Sequence, residues 1–173
     1  MNIKTILTTL TLAASTIVPM GAEASTFNDH IRLAQAVQST GTQVKINPKE
    51  CGATEAFGWY WARKSELVIC QENGTPGGPE VRWTAEDLDT LRHEAHHLVQ
   101  DCMDRSLDGA LDSVYQNPIR LGKETLGERG MVAVAEAYSE SGDHIIVMEI
   151  EAFSVAAIND PSTQVNDIAS FCF

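Results

Sequence analysis

The stretch LRHEAHHLVQDC, residues 91–102, contains the pattern H-E-x-x-H as His93, Glu94 and His97. On a helix, residues four apart lie on the same face, so His93 and His97 can direct two imidazole nitrogens at one metal ion. Glu94 is one position further round, where its carboxylate can reach a water molecule without being a ligand. Zinc lowers the pKa of a bound water to about 7. The stretch therefore predicts a zinc site for metal-assisted hydrolysis, with Glu94 as the general base.

The residues around the motif predict a capped helix over residues 85–101. Thr84 is suited to the N-cap and Asp87 to the third helical position. Apolar residues then recur at helical spacing at Leu88, Leu91, Ala95, Leu98 and Val99. An amphipathic helix of this kind favours a metal site over a polar helix face whose histidines are solvated.

The first 24 residues have the pattern of a secretory signal peptide. Lys4 precedes an apolar run over residues 6–18, and Ala22-Glu23-Ala24 fits an A-x-A cleavage site. The run is too short and too rich in threonine for a stable membrane anchor. We therefore expect an exported protein, periplasmic or extracellular, whose residues 25–173 form a single domain.

The chain is strongly acidic, with 24 Asp and Glu against 12 Lys and Arg, for a net charge of −12. Phosphate groups would repel such a surface, which argues against nucleic acid as a partner. The acidic residues are spread along the chain and are read as a solvated surface. The oligomeric state is not constrained by the sequence.

Four cysteines lie after the signal sequence, and an even number in an exported chain predicts two disulfides. Three connectivities are open, and we favour Cys51–Cys70 and Cys102–Cys172. The first pair brackets a predicted hairpin, and the second ties the C-terminal end to the motif helix. A cysteine metal site is disfavoured because no C-x-x-C spacing is present.

The remaining pattern predicts an α+β fold, a small antiparallel sheet packed on several helices with H-E-x-x-H on a central helix. Strands are expected at residues 42–46, 56–62 and 66–70. Besides the motif helix, helices are expected at residues 27–38, 119–130, 131–141, 144–158 and 162–171, with a break at Gly130.

A catalytic zinc site usually has three protein ligands, and the apolar helix after Gly142 offers two glutamates. Glu149 and Glu151 are each costly on such a helix unless they are paired or metal-bound. Periodicity does not choose between them, because both helix faces are apolar. His96 points off the metal face and is expected at the surface or beside the ligands, and His144 is expected to be exposed.

Further residues support a resemblance to the gluzincin class of zinc metallopeptidases. His93-Glu94-x-x-His97 with a later Glu149 and Ala152 three positions on resembles this class, and more closely its small exported bacterial members. Those members share a C…Gly-x-Tyr…I-C segment, which here begins at Cys51. The resemblance implies a zincin-like fold, with His93, His97 and Glu149 as zinc ligands. Phe153 stands where many gluzincins carry an acid or amide.

This combination predicts an exported zinc metallopeptidase, an endopeptidase acting on a peptide or protein substrate. In peptidases of this kind an edge strand before the metal helix binds extended substrate, and residues 66–70 are the candidate. Tyr138 is a further candidate, as an oxyanion donor. The alternative is a non-catalytic exported domain, stapled by two disulfides, that binds metal or a protein partner.

Overall fold

A computed structural model describes residues 27–173, so the expected signal peptide lies outside the described residues. The described part is α+β, as predicted, with a three-stranded sheet and six α-helices. The elements in chain order are α1 (Phe27–Ser39), β1 (Gln43–Ile46), β2 (Gly58–Trp61), β3 (Glu66–Ile69), α2 (Ala85–Asp101), α3 (Pro118–Thr125), α4 (Gly127–Ala137), α5 (Asp143–Ile158) and α6 (Pro161–Phe171). Short 3-10 turns cover Lys49–Ala53 and Ala62–Lys64.

The sheet is mixed, and the expectation of an antiparallel sheet was wrong. The strand order is β1-β3-β2, with β3 parallel to β1 and antiparallel to β2. Leu67, Val68 and Ile69 are almost completely buried, as befits a central strand covered on both faces. The proposed substrate strand, residues 66–70, is therefore the central strand. The strand at the edge beside α2 is β2.

Helix α2 carries the motif and forms the centre of the core. Its N-terminus has the predicted capping box: the Asp87 N–H donates to Thr84 Oγ1 at 3.2 Å, and the Thr84 N–H donates to Asp87 Oδ2 at 2.8 Å. The apolar face of α2 packs against α1, α6 and the sheet. The buried residues in this cluster are Leu33, Val37, Leu67, Ile69, Leu91, Ala95, Leu98, Val99, Cys102 and Ile168.

Both predicted disulfides are present. Cys51–Cys70 joins the 3-10 turn before β2 to the end of β3, and Cys102–Cys172 joins the end of α2 to the end of α6. Two disulfides indicate an oxidising environment such as that of exported proteins. Within residues 27–173, no helix has the length and apolar character needed to cross a membrane.

The break between the two helices after residue 118 lies three residues before the predicted one. Gly127 adopts φ +66°, a left-handed conformation that disfavours other residues, and α4 begins there. Gly130 lies inside α4 and is buried. A Cβ at Gly130 would approach Leu126 Cβ to 2.8 Å, so close packing accounts for that glycine.

Candidate metal centre

Three side chains from two helices converge at one point. The Nε2 atoms of His93 and His97 are 3.1 Å apart. Glu149 Oε2 lies 3.2 Å from His93 Nε2, and Glu149 Oε1 lies 3.5 Å from His97 Nε2. Donor atoms bound at about 2.0 to 2.1 Å by a tetrahedral zinc ion are about 3.3 Å from one another. The spacing and the donor set therefore fit a zinc ion.

The electrostatics of the cluster favour a positive charge between these groups. Burial opposes the charge of Glu149, but the neighbouring His97 and His93 outweigh it and hold the pKa of the carboxyl well below its usual range. Burial also opposes protonation of His97, yet the Glu149 carboxylate raises its pKa to about 9. A cation held here would therefore meet a carboxylate that is already ionised.

Gln100 fixes the orientation of His97. The amide nitrogen of Gln100 donates to the Met148 carbonyl at 3.0 Å and to Glu151 Oε1 at 3.1 Å. Its Oε1 therefore faces His97 Nδ1, 2.8 Å away, and accepts the proton on that nitrogen. A neutral His97 in this arrangement has its lone pair on Nε2, on the side of His93 and Glu149. Gln100 lies three residues after His97, so helical spacing could have identified it.

The same helix that supplies Glu149 places Glu151 elsewhere. Glu151 is fully buried and receives the backbone N–H groups of Val114 at 3.0 Å and Tyr115 at 3.2 Å. The Ser113 hydroxyl also donates to it. Burial opposes the charge of Glu151, but hydrogen bonds from His96, Ser113, Val114 and Gln100 outweigh it and lower the pKa of the carboxyl to about 2. Of the two candidates for third ligand, only Glu149 lies beside both motif histidines.

The other two histidines considered from the sequence lie outside the cluster. His96 is completely buried and pairs with Glu151, Nε2 to Oε1, at 2.9 Å. Burial lowers the pKa of His96, so it is held as a neutral donor to that carboxylate. His144 is exposed, as expected, and its Nε2 donates to the Leu111 carbonyl at 2.7 Å.

Glu94 lies beside the histidine pair and on the strand side of α2. Ligand atoms of His93, Glu94 and His97 all lie within 4.8 Å of one another. Burial raises the pKa of Glu94, with the two histidines acting in the opposite direction. The backbone N–H of Tyr60 donates to its carboxylate. A buried carboxyl with a raised pKa is a stronger proton acceptor than an exposed one.

The cluster forms the floor of an open cleft of about 640 Å³. One wall comes from β2 and the turn after it, and the other from the loop between α2 and α3. Tyr138, at the end of α4, also lines the cleft and hydrogen-bonds Glu149, and burial raises the pKa of its hydroxyl. The residues that line the walls are Glu50, Thr54, Ala56, Gly58, Trp59, Tyr60, Trp61, Ala62, Arg63, Asp108, Gly109, Leu111 and Ile145.

Comparisons of the chain with protein-family models, curated proteins and solved structures found no match. The resemblance to gluzincins therefore rests on the motif residues alone. The contribution of the loop at residues 104–117 was missing from the sequence reasoning. Nothing in its composition indicates that its backbone would bind Glu151 and line the cleft.

Proposed function

We propose that this protein is an exported zinc-dependent peptidase. The observation that carries the proposal is the convergence of His93, His97 and Glu149 at the floor of an open cleft, with Glu94 beside them. A structural zinc site is closed by four protein ligands, whereas a catalytic site keeps a position for water or substrate. Three ligands facing a cleft agree with the catalytic arrangement.

In this proposal His93, His97 and Glu149 hold the zinc ion, and Glu94 is the general base. When bound, zinc would supply a water that is acidic near pH 7 and a positive charge for the substrate carbonyl. Glu94 takes the proton of the attacking water and delivers it to the leaving amine. The Tyr60 N–H orients the Glu94 carboxylate, and burial favours proton uptake by it.

We assign substrate binding to the edge of β2. Cys70 donates its N–H to the Phe57 carbonyl at 2.7 Å, so residues 59 and 61 are the next to bond β3 in this antiparallel register. The backbone groups of Gly58 and Tyr60 consequently point away from β3. The Tyr60 N–H is directed at Glu94, so the Gly58 N–H and the carbonyls of Gly58 and Tyr60 are the groups that this edge offers to a peptide. An extended peptide can pair with this edge and run along the cleft above Glu94.

Gly58 allows this strand to lie directly against the motif helix. A Cβ at this position would come within 2.6 Å of Thr90 Cγ2 and 3.3 Å of Glu94 Cγ. The close approach brings the strand edge to the general base. An edge strand alongside the H-E-x-x-H helix supports the zincin-like arrangement that the resemblance implies, and the open cleft suits cleavage within a chain.

The proposal is tested with the oxidised chain lacking residues 1–24, assayed for zinc content and for cleavage of casein. We expect one zinc ion per chain and zinc-dependent cleavage. Glu94→Gln should keep the zinc and lower the cleavage rate by about 10²- to 10⁴-fold, the range for loss of general base catalysis. Glu86→Gln, an exposed residue on the same helix, is the matched control and should cleave normally.

Two results would contradict the proposal in different ways. Full activity in Glu94→Gln would exclude Glu94 as the base. Zinc binding without cleavage of casein or of a mixed peptide library would favour the alternative, an exported metal-binding domain without catalysis. Absence of zinc binding in the unsubstituted protein would exclude both the peptidase and the metal-binding domain, and would leave a non-catalytic exported domain that binds a protein partner.

A further inference from the structure

The two motif histidines are held in different ways. His97 donates its Nδ1 proton to Gln100, as described above. The Nδ1 atom of His93 is buried and has no hydrogen-bond partner among residues 27–173. A neutral imidazole that offers Nε2 to a metal carries its proton on Nδ1. No acceptor at Nδ1 therefore favours the tautomer of His93 that would offer Nε2 to a metal.

Phe153 supplies the contact that replaces such an acceptor. Its ring centroid lies 4.2 Å from that of His93, with the ring planes inclined at 54°. Phe153 is four residues after Glu149 on α5, so both side chains lie on the face that meets α2. The phenyl ring remains 37% exposed, whereas His93 is only 7% exposed. The ring thus covers His93 on its solvent side.

We infer that Phe153 is a positioning residue for His93 and determines how tightly the site holds its metal. The inference rests on the metal site of the proposed function. Ligating histidines are usually oriented by a hydrogen bond from the second ring nitrogen, and loss of that partner weakens metal binding. Because His93 lacks this hydrogen bond at Nδ1, the packed phenyl ring limits rotation of the imidazole away from the orientation that directs Nε2 at the metal position.

The first measurement is the zinc dissociation constant, determined by chelator competition on the oxidised chain lacking residues 1–24. Phe153→Ala should weaken zinc binding roughly tenfold or more, in the range seen when an outer-shell partner is removed. Phe153→Leu retains an apolar contact and should restore most of the affinity. Ile158→Ala, at a 52% exposed position on the same helix, is the matched control and should bind like the unsubstituted protein.

A second measurement does not depend on metal. Diethyl pyrocarbonate acylates accessible imidazole nitrogens, and mass spectrometry of peptides locates the label. In metal-free protein, the reagent should label His93 faster in the Phe153→Ala variant than in the unsubstituted protein. The labelling rate of the buried His96 should stay unchanged and serves as an internal control. Ile158→Ala should change neither rate.

The outcomes separate this inference from the proposed function. Zinc binding within twofold of the unsubstituted protein in Phe153→Ala would overturn the inference alone, as would equal weakening in Ile158→Ala. If Phe153→Ala does not fold, Phe153→Val, whose side chain is too short to cover the imidazole, takes its place: unchanged zinc affinity together with unchanged His93 labelling in that variant overturns the inference. Failure of the unsubstituted protein to bind zinc overturns the metal site and the inference together.

Discussion

Glu149 and Glu151 are two residues apart on α5, yet their surroundings have little in common. Glu149 faces two imidazoles and a cleft, with no backbone donor at its carboxylate in the hydrogen bonds of the described residues. Glu151 faces the opposite side of the helix and receives two backbone N–H groups, a hydroxyl, an amide and an imidazole. The Glu149 carboxylate is placed to bind a metal ion, whereas the Glu151 carboxylate stabilises the fold.

The difference follows from helix geometry. Two residues along an α-helix turn the side chain by about 200°, so the two glutamates point to opposite sides. Both sides of α5 are covered by protein, which is why both faces are apolar in sequence. A buried carboxylate needs hydrogen-bond or charged partners on either side of the helix. Only the identity of these partners distinguishes a carboxylate that stabilises the fold from one that can bind a ligand.

The largest expected effect is on stability. In metal-free protein, Glu151→Ala leaves the half-buried N–H groups of Val114 and Tyr115 without their acceptor, and backbone groups cannot relieve this by losing their protons. We expect a loss of about 3 to 5 kcal/mol in the free energy of unfolding. For a chain of this size that corresponds to a melting temperature lower by about 6 to 20 °C, measurable by circular dichroism in EDTA.

Glu149→Ala is the matched control in the same buffer. Its partner His97 can release its extra proton when the carboxylate is removed, so no buried charge remains unpaired. The melting temperature should change much less than in Glu151→Ala. Equal destabilisation by the two substitutions would show that the assigned division between ligand and structural carboxylate is wrong.

The next effect is the response to zinc. A ligand present at about 100 times its dissociation constant stabilises the folded state by about 2.7 kcal/mol. Zinc should therefore raise the melting temperature of the unsubstituted protein and of Glu151→Ala. It should leave Glu149→Ala unchanged, because that variant lacks the third ligand. A full zinc response in Glu149→Ala would move the third ligand to another residue.

Local features of this fold, such as helix caps, could be predicted from the sequence. The pairing of strands that are distant along the chain was harder to predict. The capping box at Thr84 and Asp87 is encoded within four residues, and both disulfides followed from chain order around predicted elements. The parallel pairing of β1 with β3 was not accessible, because it joins segments separated by β2. The uninterrupted apolar run of β3 did indicate a central strand, and this signal was overlooked.

The candidate site shows the same limit. His93, Glu94 and His97 are visible in sequence because one helix turn places them together. The choice of Glu149 over Glu151 depends on how α5 is rotated against α2, which periodicity cannot give for a helix that is apolar all round. The burial of His96 depends on Glu151 and was missed for that reason.

The smallest effect concerns Gln100, which contacts both regions. It accepts from His97 Nδ1 and donates to Glu151. Gln100→Ala removes these two bonds and the bond to the Met148 carbonyl, and should weaken zinc binding by about 10- to 100-fold. Gln100→Glu keeps an acceptor for His97 but places a second carboxylate against Glu151. We therefore expect Gln100→Glu to retain most of the zinc affinity while lowering the melting temperature.

These two variants separate orientation of His97 from stability of the fold, since the bond of Gln100 to His97 lies beside Glu149 and its bond to Glu151 lies in the surroundings of the other glutamate. Zinc affinity is measured by chelator competition and stability by thermal unfolding in EDTA. If Gln100→Glu lost as much zinc affinity as Gln100→Ala, the acceptor at His97 Nδ1 would not be what matters. The weakening would then come from the repulsion at Glu151 displacing α5, and the two regions would be coupled through the helix as a whole.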